Sequence, residues 1–574
     1  MNKLWARYDS TELAEVRSAP GTQTRMNRTL QRTDRMNADH YELDGPDESG
    51  HYERDDRNAH HYKPPLRIVP IATVAWLAAI APAIAQVREL PAPVELAAAE
   101  ITLDRAAAAA AGQPEPLAGR VVLFVSRRTA PEPRFGPNWF DPEPFFRLDV
   151  QGVEAGDNLL VDDKAAGFPD AWSKLPPGEY RVQAVLDHDF YRHHPAHGAG
   201  NFYSPVVVWR CDAEVPEPLE LVLDRVVEEQ PFPEHESIKE VVVHSKLLSA
   251  FHGRDVVERA GVVLPASYHD EPERRYPVVY VVPGFGGSHR DALRYAGRPH
   301  EPEEGQVEFI RVMLSGDCKW GHHVYADSAT NGPRGAALIE EMIPALDEAY
   351  RTVAAATARF LSGHSSGGWS SLWLQVTYPD VFGGVWSSSP DPVDFRDYQQ
   401  VDLYADPPLS LYFDEQGNRR PIARRGEEPA LWYEDFGRMD DCLGRGGQLR
   451  SFEAVFSPLG TDGLPRKLWD RVTGRIDPEV AAAWQRYDIR LRIERNWQEL
   501  GPKLEGKLHV ITGELDTFYL EGSVRKLAET LEQLGSDAQV EIIPGRHHGD
   551  VLTADVVGRT RRQMSQAYLG VHGE

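Results

Sequence analysis

An α/β domain preceded by an all-β module is what the sequence predicts, on three observations. Beyond about residue 240, β-branched runs alternate with helical periods; between about 118 and 227, short apolar runs are broken by Pro, Gly and Asp; and at 363–368 a strand enters a helix through a Gly-flanked turn. The chain has 574 residues, 41% hydrophobic and 26% charged, which is enough apolar material for at least one large core. Its 62 Lys and Arg against 88 Asp and Glu leave a formal charge of −26. Duplex binding rests on clustered cations, so nucleic acid is not an expected partner. Cys211, Cys318 and Cys442 show no CxxC spacing and allow at most one intrachain bridge, so neither a Cys-based zinc site nor a disulfide scaffold is expected.

Residues 1–63 carry ten basic and twelve acidic residues with few aliphatics, too little apolar surface to offset ordering entropy, and read as a disordered leader. Within 64–85, IVPIATVAWLAAIAPAIA (68–85) has no charge, follows Lys63 and Arg67, and ends in Ala83-Ile84-Ala85. That is the layout of a secretory signal, displaced from the chain start, and it predicts a secreted or periplasmic protein processed near Gln86. Translation from near Leu66 or Val69 would account for the displacement. The alternative is a single membrane anchor at 68–85, with Pro70 and Pro82 against it.

Residues 86–117, with AAAAAAG at 106–112, read as a linker. The segment 118–228 (GRVVLFVS, FFRLDV, NLLVDD, GEYRVQAVLD, SPVVVW, LELVLDRVV) has sandwich-like strand spacing. EEQPFPEHES then connects to a domain at 240–574. There YPVVYVVPG (276–284) reads as a strand covered on both faces, and AALIEEMIPALDEAY (336–350) as a helix. KLHVITG, SVRKLAETLEQLG and AQVEIIPG repeat strand, helix, strand. An insertion at 391–506 is far longer than an ordinary connection and must be structured in its own right. Asp477-Pro478 reads as an N-cap and first helical residue, with helix continuing to Leu500. The insertion reads as cap-like, its Trp432, Trp469, Trp484 and Trp497 filling its own core in preference to lining a site.

The sharpest chemical signal is Gly363-His364-Ser365-Ser366-Gly367, with a strand before it and a helix after it. Such a turn lifts the Ser365 hydroxyl clear of the sheet and aims the Ser366 N–H toward a developing oxyanion. A serine nucleophile needs a base oriented by a carboxylate, in the chain order Ser, acid, His. Asp516 follows the strand LHVITG, and is preferred to Glu514; His547 and His548 follow VEIIPGR, and His548 is preferred. The second oxyanion donor is expected in Pro283-Gly284-Phe285-Gly286-Gly287, with the Phe285 N–H as the candidate.

These residues carry a resemblance. GHSSGGWSSLWLQVTYPDVFGGVWSSSPD, DSATNGP with ALIEEMIPALDEAYRT, and the GELD and PGRHHG ends resemble the esterase group of α/β-hydrolases that holds esterase D-like, feruloyl-esterase-like and enterochelin-esterase-like enzymes and is related to mycolyl transferases. The likeness spans about 240–565 apart from much of the insertion. It implies an α/β-hydrolase fold and a Ser365, Asp516, His548 triad working through an acyl-enzyme. Pro283 departs from the pattern, since many relatives carry His before the first loop glycine.

Other positions carry weaker expectations. Trp320, His322 and His323 precede NGP in a loop expected near the pocket and are candidate substrate contacts. His188, His193, His194 and His197 with Asp187 or Asp189 have zinc-ligand chemistry, but a polar loop of this kind reads as solvated, and no metal or other cofactor is expected. The expected partner is an ester, of a small molecule or a carbohydrate. The rival readings are an acyltransferase of the same fold and a carbohydrate- or surface-binding protein with a vestigial hydrolase domain.

Overall fold

The computed structural model describes residues 96–112, 116–211, 218–297, 302, 303 and 305–573. The expected leader, the signal-like segment and the start of the expected linker lie outside them. No helix among the described residues is long and apolar enough to cross a membrane.

Part of the expected linker has a defined fold. Ala99–Leu103 is a strand paired with Asn158–Val161 and Glu220–Leu223. Arg105–Ala111 is a helix, its first turn capped by the Asp104 side chain accepting from the Ala107 N–H at 2.8 Å and its end closed by Gly112 at φ 60°. Alanine has the best helix propensity, so a repetitive run between good caps becomes helix.

From Leu117 to Val226 the described residues form strands joined by loops and short helical turns, and with Ala99–Leu103 they make sheets of three and seven strands. Strand Leu117–Ser126 explains its own continuous apolar run. Successive side chains point to opposite faces, and both faces are covered. Val121, Leu123 and Val125 enter the module's own core with Trp172 and Trp209. Val122 and Phe124, with Phe145, Phe168 and Val185, join the core of the C-terminal part instead.

The C-terminal part is built on an eight-stranded sheet: β1 Ile238–His244, β2 Val257–Val263, β3 Val278–Val282, β4 Ile310–Leu314, β5 Arg359–His364, β6 Gly384–Ser388, β7 Leu508–Gly513 and β8 Gln539–Ile543, in the spatial order β1-β2-β4-β3-β5-β6-β7-β8. Neighbours are parallel except in the pairs made by β2. The α/β class expected from the sequence is met. Helix α1, Ser366–Thr377, starts directly at the end of β5, in the middle of the sheet.

Residues 391–506 form a hairpin, Pro421–Arg425 with Glu428–Trp432, and a set of helices that includes α2, Tyr433–Leu443, and α3, Gln448–Phe456. The helix expected to continue to Leu500 is three: Pro478–Trp484, Ile489–Arg495 and Trp497–Leu504. Asp477 caps the first as expected, while Asp488 caps the second and thereby ends the first. Trp469 and Trp484 are buried in the shared core, and Trp432 and Trp497 are half-buried. Cys211, Cys318 and Cys442 are buried and form no disulfide among the described residues.

Candidate active site

The turn at the end of β5 is crowded enough to dictate its residues. A Cβ on Gly363 would lie 2.0 Å from the Gly367 carbonyl oxygen, and one on Gly367 would lie 2.0 Å from the Val282 carbonyl oxygen. Between them Ser365 sits at φ 59°, ψ −126°, a conformation that L residues rarely adopt and that stores strain in the turn. Its N–H donates to the Ser388 carbonyl at 3.0 Å, tying the turn to β6. Among the described residues the Ser365 hydroxyl has no hydrogen-bond partner.

Strands β7 and β8 lead to the candidate acid and base. The Asp516 carboxylate is buried, accepts from the Phe518 N–H at 2.9 Å, and lies 2.8 Å from His548 Nδ1. This contact makes Nδ1 the donor and leaves Nε2 as the basic nitrogen. Burial pulls the His548 pKa down, but the Asp516 charge and hydrogen bond outweigh it, so the pKa is raised above 6.5. For Asp516 burial works upward, and the charge of His548 together with the hydrogen bonds from His548, the Phe518 N–H and Ser389 more than offsets it, leaving the carboxyl below its ordinary value. The His548 ring packs on His364, the residue before Ser365, with centroids 4.6 Å apart, and edge-on to Phe518 at 5.0 Å. Burial and the neighbouring His548 charge push His364 down to about 3, so it stays neutral and serves as a flat wall.

The rejected alternatives have other partners: His547 Nδ1 lies 3.0 Å from the Leu515 carbonyl, and Glu514 accepts from the Gly545 N–H at 3.0 Å.

The Pro283–Gly287 loop approaches the turn closely: a Cβ on Gly284 would lie 3.5 Å from Ser365 Cβ. Neither the Phe285 nor the Ser366 N–H has an acceptor among the described residues. Both amides are therefore uncommitted donors flanking Ser365.

The structure turns His322 and His323 to the backbone and Trp320 to a separate cavity. His322 and His323 are buried, and both nitrogens of each ring are spent on the backbone: His322 Nε2 on Pro283 O at 2.9 Å, His323 Nε2 on Ser315 O at 3.1 Å, and each Nδ1 on a backbone N–H two residues ahead. They have no polar atom left for a substrate. His322 instead donates to the loop that carries Phe285. Trp320 lines a separate cavity with Phe190, His252 and Lys319.

The histidine loop expected to be solvated is docked. His193 Nδ1 lies 2.7 Å from Asp317, with its ring 4.9 Å from that of Phe285; His194 Nε2 lies 3.1 Å from Gly136 O. No cluster of metal-ligand residues occurs among the described residues. The polar-loop composition misleads because Asp187 is buried, paired with Arg120 at 2.8 Å and Arg445 at 2.9 Å.

Three contributions escape sequence reasoning. Buried Asp391, after β6, accepts from Ser366 Oγ at 2.6 Å, and burial pushes its pKa up to about 6. Gln448, at the start of α3, donates to the same hydroxyl at 3.2 Å. Trp139 of the β module stands beside Phe285, Phe436 and Phe518. A residue after a strand end is a recognisable signal for Asp391; nothing local marks the other two. A cavity of about 510 Å³ is lined by Gly284, His364, Ser388 and His509 among others, and neither Ser365 nor His548 lines it.

A family model described as "Putative esterase" matches residues 258–549. Among solved structures, a ferulic acid esterase is 13% identical at a TM-score of 0.36, covering 58% of this chain and 99% of that one. An S-formylglutathione hydrolase from Agrobacterium tumefaciens is 13% identical at 0.33, covering 60% and 97%. A ferulic acid esterase from Anaeromyces mucronatus, solved with ferulic acid, is 16% identical at 0.30, covering 59% and 94%. No curated protein matches.

Proposed function

The chain belongs to the esterase family and is a carboxylic ester hydrolase; from that premise we propose that it works through an acyl-enzyme on Ser365. Ser365 Oγ attacks the ester carbonyl while His548 Nε2 takes its proton. The Phe285 and Ser366 amides hold the oxyanion, and His548 returns the proton to the departing alkoxide. Water then attacks the acyl-enzyme by the same route in reverse. The observation that carries this reading is the 2.8 Å contact between His548 Nδ1 and a buried Asp516, beside an uncommitted serine on a strained turn. A fluorophosphonate is expected to label one site, and peptide mapping to find it on Ser365; labelling elsewhere, or none, overturns the assignment. The substrate is an ester of a small molecule or carbohydrate, and the insertion at 391–506 acts as a cap.

The triad has a pH signature. Only neutral His548 is a base, and Asp516 stabilises the protonated form, so the acid limb of kcat/KM is expected to have its midpoint above 6.5. Asp516→Asn removes that charge and should move the limb downward while lowering kcat by about 10⁴-fold, as expected for loss of the orienting carboxylate. A wild-type limb below 6.5, or one that ignores the substitution, contradicts the pairing.

Export is part of the proposal: the protein isolated from its native source is expected to begin near Gln86. An amino terminus upstream of residue 68 would retain the segment and leave the anchored alternative.

A further inference from the structure

We propose that the N-terminal β module supplies part of the substrate site, with Trp139 as a specificity-determining wall; this rests on the esterase reading above. Trp139 lies in the stretch between the short helical turn Pro133–Phe135 and strand Phe145–Val153, more than two hundred positions before the serine turn. Its ring meets three others that come from three different parts of the catalytic half. It is 5.6 Å from Phe285, whose N–H is the proposed oxyanion donor. It is edge-on to Phe436 of α2 at 5.2 Å, and edge-on to Phe518 at 6.5 Å. Phe518 in turn stands edge-on to His548 at 5.0 Å. Phe140 extends the wall, 6.4 Å from Phe518 with the Arg425 guanidinium 5.5 Å over its face.

Two features separate this cluster from ordinary core. Trp139, Phe140 and Phe518 are only half-buried, so apolar ring surface remains open beside the catalytic pair. The Trp139 indole N–H also has no hydrogen-bond partner among the described residues and is open to solvent, whereas an indole that fills ordinary core is enclosed and bonded. An ester whose apolar group runs past Ser365 would cover these faces. It would be selected by size and shape, with no charge required of it.

The test compares wild type with Trp139→Ala and with Trp139→Leu, which keeps apolar volume if the alanine variant folds poorly. Each is assayed on p-nitrophenyl esters from acetate to decanoate and on acetate esters of alcohols from methanol to benzyl alcohol. In one series the preference for the larger member, measured as kcat/KM, is expected to fall at least about tenfold, mostly through KM. Trp139→Phe should keep most of it. Equal losses along both series, or unchanged preferences in a protein that still reacts with fluorophosphonate, overturn the role of Trp139 while leaving the esterase standing. Wild-type protein that neither hydrolyses these esters nor takes the label overturns both.

Discussion

Replacing Ser365 by Ala is expected to lower kcat/KM on a p-nitrophenyl ester by about 10⁴- to 10⁶-fold and to abolish fluorophosphonate labelling, because acid and base have nothing to act on once the nucleophile is gone. The residual rate should be that of an oxyanion pocket alone. The position offers a second, independent readout. At φ 59°, ψ −126° any residue with a Cβ is strained, whereas Gly is not. Ser365→Gly should therefore be as inactive as the alanine variant yet about 1 kcal/mol more stable than it, the relief of strain exceeding the entropy cost of Gly. Denaturant unfolding of the two inactive variants side by side measures that difference. Equal stabilities would mean that the turn is relaxed, and activity within tenfold of wild type would remove Ser365 from the chemistry.

Sequence was most informative where chain order and local pattern carry the physics. A Gly-rich turn between a strand and a helix can be read because no other residue fits at 363 and 367, and Asp516 and His548 can be read because successive parallel strands present their ends to one edge. Burial is what a local window does not show. The pair His322-His323 looks like polar loop until the structure shows both rings spent on carbonyl and amide groups. The Asp187–His197 stretch likewise looks solvated, yet it is docked on Asp317 and Phe285. The alanine run at 106–111 lacks a periodic apolar stripe and so reads as linker in the sequence, although its propensity, its caps and the burial of Ala108 make it helix. Trp139 lay beyond reach for a different reason: its neighbours are fixed only by docking of the β module.

Arg120→Met is expected to destabilise the protein by about 3–5 kcal/mol, the usual consequence of removing one partner from a buried ion pair. Arg120 and Asp187 are each about 1% exposed, so water cannot replace the lost contact. The guanidinium donates to Asp187, to the Leu443 and Arg445 carbonyls and to the His193 carbonyl, and thereby ties the β module to the connection between α2 and α3. Arg445 returns to Asp187 at 2.9 Å from the other side. Three residues after Arg445 comes Gln448, on the Ser366 hydroxyl. Lower kcat should therefore accompany the loss of stability. Asp187 keeps Arg445 in the Arg120→Met protein, so adding Asp187→Asn takes that partner away in turn, and denaturant midpoints of the four proteins in the cycle separate the Arg120–Asp187 coupling from the rest. A loss below about 1 kcal/mol would place the cluster among the weak ion pairs of exposed surfaces.

The two-faced strand Leu117–Ser126 sets a limit on how this enzyme is taken apart. With Val122 and Phe124 seated in the larger core, as Phe145 and Phe168 are, the chain between Val226 and Ile238 is a tether and not a seam. Severing it would bare a greasy patch on each fragment, inviting clumping in both halves. The front module thus shares its core with the larger half, and it is expected not to tolerate being swapped, trimmed or borrowed on its own.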